Sequence, residues 1–223
     1  MDLAEGALRF RRAMTHCDNL VDVHRGYGGP AQGRRGKEVS VNRAVVVVTV
    51  AAWQAAVQDM VLAAIEAGIP GPDSLLTQQT YSVVAGRARG NVGGFNTPNP
   101  ENTRQLLLEV GFDPRPFWTW SQMGGQGVGV LTLTPHDVEQ RMRDWLRLRH
   151  DIAHGNDSLS RVNVLLTVRD KVNPQDDWQP TIRLVDAEAC MAFFRRVADL
   201  TAAGLAEHLG QERSRWDLKQ VEI

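Results

Sequence analysis

Apolar residues return every three or four positions through most of this chain. Leu3, Ala7, Phe10, Met14, Cys17 and Val21 mark one face of a first helix over 2–25. "GYGGPAQGRRGKE" at 26–38 breaks the period, and its glycines predict a long loop near 26–39. Its bases Arg34, Arg35 and Lys37 are able to touch phosphate, although a solvated connector is the blander reading. "RAVVVVTVAAWQAAVQDMVLAAIEAG" is apolar on most sides. A valine run also suits a strand, but the length and the alanines favour a central buried helix over 41–67, capped by Ser40 and stopped by Gly68 and Pro70.

A third helix is expected over 75–88, capped by Asp73 or Ser74, followed by a break at "RGNVGGFNTP". Asn99 and Pro100 open a short helix that Gly111 ends. Residues 112–133 predict a long irregular loop anchored by Phe117, Trp118 and Trp120; such aromatics also stack on bases. In "TPHDVEQRMRDWLRLRHDIAHG" Thr134 is the N-cap, Pro135 takes the first position, Asp137 completes a capping box and Gly155 stops the helix. "VNVLLTV" and "TIRLV" suggest a small β-hairpin insertion near 160–185 across "NPQDDWQP". Asp186 then caps a last helix over 187–209, and 210–223 reads as a charged tail. The expected fold is all-α: a bundle of five or six helices forming one domain over 1–209.

Composition narrows the function classes. The formal net charge is -1, so any nucleic-acid site must be a local basic patch. Cys17 and Cys190 lie far apart in apolar helical stretches and read as buried free thiols. The N-terminus has acids before its bases and no apolar core, so no signal peptide is expected. Gln54, Gln58, Asp59 and Glu66 interrupt the most apolar segment, which favours a core helix over a membrane span and a cytoplasmic protein.

The candidate chemistry sits at the end of the 135–154 helix, in "RLRHDIAHGN". On a helical wheel Val138, Met142, Trp145, Leu146, Ile152 and Ala153 form the apolar side, and Arg149 falls among them. A guanidinium there needs a buried carboxylate, an edge to reach, or a cleft that takes anions. Arg143, Arg147, His150 and His154 share a sector about 60° wide on the other side. Such a seam is either a track for RNA phosphates or a solvated face. His150 and His154 also have the spacing of a zinc pair. The metalloprotease signature, however, places Glu where this chain has Asp151, and no third ligand has recognisable spacing. A zinc hydrolase using His150 and His154 is thus the weaker alternative; no metal or cofactor is expected.

"RHDIAHG", with Arg149, His150 in the polar position, Ala153, His154 and Gly155, resembles the signature of the HEPN superfamily. The long helix "NRAVVVVTVAAWQAAVQDM", the segment "FNTPNPENTRQLLLEVG" and the final amphipathic helix are similar to the branch associated with RNA-repair operons. The likeness runs over about 40–209. The resemblance implies a helical bundle, usually a homodimer, that cuts RNA without metal and acts as a toxin or antiviral effector, with an antitoxin or operon partner. It also implies site roles. His154 accepts the proton of the RNA 2′-hydroxyl, Arg149 neutralises the phosphorane, and His150 orients a phosphate. Many relatives hold the arginine with an acid on the long helix; the nearest position here is Gln54, with Gln58 and Asp59 further on. On an ideal helix Arg149 and His154 lie about 140° apart, so a two-fold partner is one way to complete the site. Some HEPN domains only bind nucleotides or proteins, and a non-catalytic module is the alternative reading.

Overall fold

The computed structural model describes residues 1–26, 36–71, 75–123, 129–168 and 180–218. Among them are α1 (Leu3–Gly26), α2 (Gly36–Ala67), α3 (Leu75–Gly94), α4 (Pro100–Leu108), β1 (Trp120–Met123), β2 (Val130–Leu133), α5 (Pro135–Ala153), α6 (Asn163–Val168) and α7 (Leu184–His208). Over the described residues the fold is an all-α bundle with one small antiparallel hairpin.

α2 is the axis of the bundle, with α1, α7 and α5 packed around it. Val45, Val46, Val50, Trp53, Ala56, Val57, Met60 and Val61 bury different sides of it, which an apolar surface running right round a helix requires. By length and composition α2 could cross a bilayer, yet 56% of its most apolar window is buried inside the bundle. α1 lays its predicted stripe, Leu3 to Val21, against α2, and the Thr49 hydroxyl donates to the Cys17 thiol at 3.4 Å. Cys17 and Cys190 are both buried and free.

Helix ends depart from expectation where tertiary partners replace local stop signals. α2 starts at Gly36, so Ser40 lies inside its first turns and donates to the Gly36 carbonyl at 3.1 Å instead of capping. α3 runs through "RGNVGG" to Gly94 because two α2 side chains complete its end. The Gln58 amide donates to the Val92 carbonyl at 2.8 Å, and the Gln54 amide to the Phe95 carbonyl at 2.9 Å. Otherwise unpaired carbonyls at a helix C-terminus are thereby satisfied. In α7, Asp186 is not the cap but the third residue, where its carboxylate accepts the Arg183 N–H at 2.7 Å.

Among the described residues of 160–185 there is no strand. "NVLLTV" is helical in α6, where Val164 and Leu165 are buried; a short apolar run has no period that separates strand from helix. The strands come instead from the stretch read as an irregular loop, with Trp120 opposite Leu133 and Met123 opposite Val130. The three aromatics of that stretch do anchor it. The Phe117 ring lies on Gly204, the Trp118 indole donates to the Thr201 hydroxyl at 2.9 Å, and Trp120 packs 6.1 Å from Phe193. The charged tail is also docked over residues 211–218. Trp216 is buried against Phe10, and its backbone N–H donates to buried Asp199, which also pairs with Arg213. Arg34, Arg35, Asp73, Ser74 and residues 169–179 lie outside the described residues.

Candidate nucleic-acid interface

α5 carries the site. The Thr134 N–H donates to Asp137 Oδ2 at 2.9 Å, and Thr134 Oγ1 accepts from the Asp137 N–H, closing the capping box. At the other end the His154 N–H reaches the His150 carbonyl at 3.0 Å, and Gly155 turns the chain with φ +68°. A residue with a Cβ adopts that backbone reluctantly, which is why a glycine follows the histidine.

The inward stripe of α5 differs from the wheel reading. It contains Val138, Met142, Trp145 and Leu148, together with two acids, Asp144 and Asp151. Leu148 is fully buried, whereas Arg149 is only partly buried and Ala153 is exposed. The arginine therefore stands at the edge of the stripe, where it opens into a groove.

That groove has a volume of about 310 Å³ and lies between α2, the start of α4 and α5. Val50, Pro98 and Leu146 give it apolar walls; Arg143, Arg147, Arg149 and His150 give it cationic and polar ones, and Glu101 a carboxylate. No ion pair or hydrogen bond holds the Arg149 side chain among the described residues. The expected partners are engaged elsewhere: Gln54 holds the end of α3, and Asp59 faces Arg9 at 3.7 Å. Burial pushes the Asp59 carboxyl above its ordinary range, opposed by Arg9.

The seam divides. The Arg143 Nε donates to Glu101 Oε1 at 3.0 Å and its Nη2 binds the same oxygen, while Glu139 lies 3.6 Å away. Arg143 is thus paired with a carboxylate of the protein itself. Arg147 is exposed and forms no ion pair among the described residues. His150 lines the groove, and its ring centroid lies 4.2 Å from that of His154 with the planes tilted by 48°. His154 itself is exposed and is not part of the groove wall. His150 consequently links a groove that holds Arg149 to a histidine beyond its rim.

The two inward acids brace the site from behind, a role the sequence reading missed. Asp151 Oδ2 accepts the Ser160 N–H at 2.7 Å, and Oδ1 accepts the Asn156 amide at 3.1 Å. Asp144 Oδ2 accepts the Val164 N–H at 3.1 Å. Burial raises the Asp151 carboxyl, but the Ser160 and Asn156 hydrogen bonds and the charge of Arg147 outweigh it and hold the group below its ordinary range. The available signal was spacing: the two acids are seven apart, flanking Leu148 on one side of the helix. This placement also changes the zinc reading, since the would-be base Asp151 faces inward to its own loop. Among the described residues no group of three or more His, Cys, Asp or Glu is placed to hold a metal ion.

Searches against protein-family models, curated proteins and solved structures returned no match to this chain.

Proposed function

We propose that the protein is a metal-independent endoribonuclease of the HEPN type. One observation carries the reading: Arg149, without a protein partner among the described residues, opens into a groove shared with His150, whose ring abuts His154. An unpaired guanidinium at the edge of an apolar stripe is suited to an anion from solution. In the proposed reaction the RNA 2′-oxygen attacks the adjacent phosphorus and its proton passes to His154. Arg149 stabilises the charge that builds on the phosphoryl oxygens. The bond to the 5′-oxygen breaks, that oxygen takes a proton from water, and a 2′,3′-cyclic phosphate remains. His150 orients the phosphate between the two.

A toxin or antiviral role with an antitoxin or operon partner belongs to the same proposal, as does a homodimer. His154 lies outside the groove wall of its own chain, so a two-fold copy bringing its motif alongside would complete the constellation. The same observation favours the second reading, a nucleotide- or protein-binding module that does not cleave. Incubating purified protein with end-labelled RNA in EDTA separates them. Cleavage leaving cyclic phosphate ends supports the ribonuclease; tight binding with intact RNA supports the module; cleavage abolished by EDTA returns the metal reading. Sedimentation across a concentration series, with activity assayed alongside, tests the composite site.

A further inference from the structure

Glu101 is out of place in a groove for a polyanion. It lies in the first turn of α4 and lines both the Arg149 groove and a second groove, of about 410 Å³, that also includes Arg104, Leu108 and Arg115. Its side chain is 57% exposed, so the carboxylate faces whatever passes between the two. Burial pulls its pKa up, but the hydrogen bond from Arg143 and its own backbone N–H, with the Arg143 charge, hold it below the ordinary range. It is therefore ionised at neutral pH. Arg143 fastens it by two nitrogens on a single oxygen, Oε1, and Arg143 is in turn near Glu139, which pairs with Arg115 at 2.7 Å. The chain of alternating charges Glu101, Arg143, Glu139, Arg115 fixes the carboxylate between the grooves and leaves that crossing with no excess positive charge.

With its own arginine already spent on the carboxylate, this crossing has no spare cation to hold a phosphate, so a nucleotide group that meets the exposed face of Glu101 does so as a hydrogen-bond donor. Among the RNA bases, guanine offers two adjacent donors, N1–H and the N2 amino group, which match a carboxylate. Uracil offers a single N–H between two carbonyls that a carboxylate repels, and adenine and cytosine offer one amino group beside an acceptor. Val50, Pro98 and Leu146 supply apolar walls for a base face, and Arg147 and Arg149 take the flanking phosphates. We infer that Glu101 is a specificity-determining residue that selects a single-stranded guanine next to the phosphate held by Arg149, with Arg143 as its positioning residue. The inference rests on the RNA reading above, and it adds the base.

The test measures binding, so it does not depend on turnover. In the His154→Ala background, short oligouridylates containing one central guanosine, adenosine or inosine are titrated by fluorescence anisotropy. Inosine keeps N1–H and lacks the N2 amino group. Guanosine should bind about tenfold tighter than adenosine, equivalent to about 1.4 kcal/mol, with inosine between them. Glu101→Gln should erase that preference yet bind the all-uridine strand at least as tightly, because a negative charge has left the groove. A misfolded variant would lose affinity for every strand, and Glu101→Asp, which keeps the charge but draws it back, should retain a reduced preference. Equal affinities for the strands in the parent, or a guanine preference that survives in Glu101→Gln, would overturn the inference while leaving RNA binding intact. Failure of every strand to bind would overturn the RNA reading as well.

Discussion

The His150 and His154 rings lie 4.2 Å apart, centroid to centroid, across the last turn of α5, and only His150 also lines the groove that holds Arg149. The two histidines therefore differ in what their removal should do. His154 is exposed at the C-cap, so His154→Ala should change the melting free energy by less than about 0.5 kcal/mol. If it is the proton acceptor, cleavage should fall about 10²–10⁴-fold. His150→Ala should weaken substrate binding as well as turnover, since its ring faces both the groove and His154. Steady-state kinetics with matched thermal melts distinguish the pair. Equal, purely kcat-limited losses in both would contradict separate roles.

The basic seam makes a second prediction, because its arginines are not equivalent. Arg147 has no ion pair among the described residues, whereas Arg143 is tied to Glu101. Releasing counterions from single-stranded RNA contributes about 0.7 to the slope of log affinity against log salt for each phosphate neutralised. Arg147→Ala should flatten that slope by about this amount. Arg143→Ala combined with Glu101→Gln should leave it nearly unchanged, since losing the two paired charges together does not alter the net charge of the groove. A titration from low to moderate salt with both variants measures this, and equal flattening would show that Arg143 also meets the backbone.

A third prediction tests the aromatic anchor. The Phe117 ring occupies the space a side chain at position 204 would need; a Cβ there would come 2.5 Å from the ring. Since the obstacle is a packed ring and not a flexible end, Gly204→Ala should destabilise the bundle by about 1–3 kcal/mol. Phe117→Leu in the same chain should recover part of that loss, because the smaller side chain makes room. Chemical denaturation of the single and double variants gives the coupling. Additive losses would mean that α7 accommodates the methyl by shifting elsewhere.

What could be read from the sequence followed from local physics. The α1 stripe, the Thr134–Asp137 capping box, the Asn99 cap and the turns at Gly111, Gly155 and Gly210 depend on residues a few positions apart, and the structure has each. The C-terminus of α3 was misread because Gln54 and Gln58, more than thirty residues away, supply its missing donors. The hairpin was misplaced because "VNVLLTV" has no decisive period, while β1 and β2 are held by pairing with each other. The position of Arg149 at a helix end, four after Trp145, was legible. Its groove was not, for Val50, Pro98 and Glu101 reach it from other elements.

The last prediction concerns the brace behind the site. Asp151 is buried and accepts the Ser160 N–H and the Asn156 amide, so it fixes the chain that leaves the motif at Gly155. Asp151→Ala leaves these donors unpaired and should cost about 1–3 kcal/mol. The pH dependence has a definite sign. In the folded protein the Asp151 carboxyl is held below its ordinary range, so the unfolded chain binds its proton more readily. Its contribution is therefore fully present above the unfolded value of about 4, and is lost as pH falls from there through the lower folded value. The parent protein should lose stability below about pH 4 more steeply than Asp151→Asn, which cannot titrate at that position. Melting curves across this range test the comparison, and hydrogen exchange at Ser160 locates it. If the parent and Asp151→Asn decline in parallel, the acid sensitivity belongs to other carboxylates. Should Asp151→Asn keep its fold at neutral pH but lose cleavage, the brace matters to the site by holding the helix end where His154 sits.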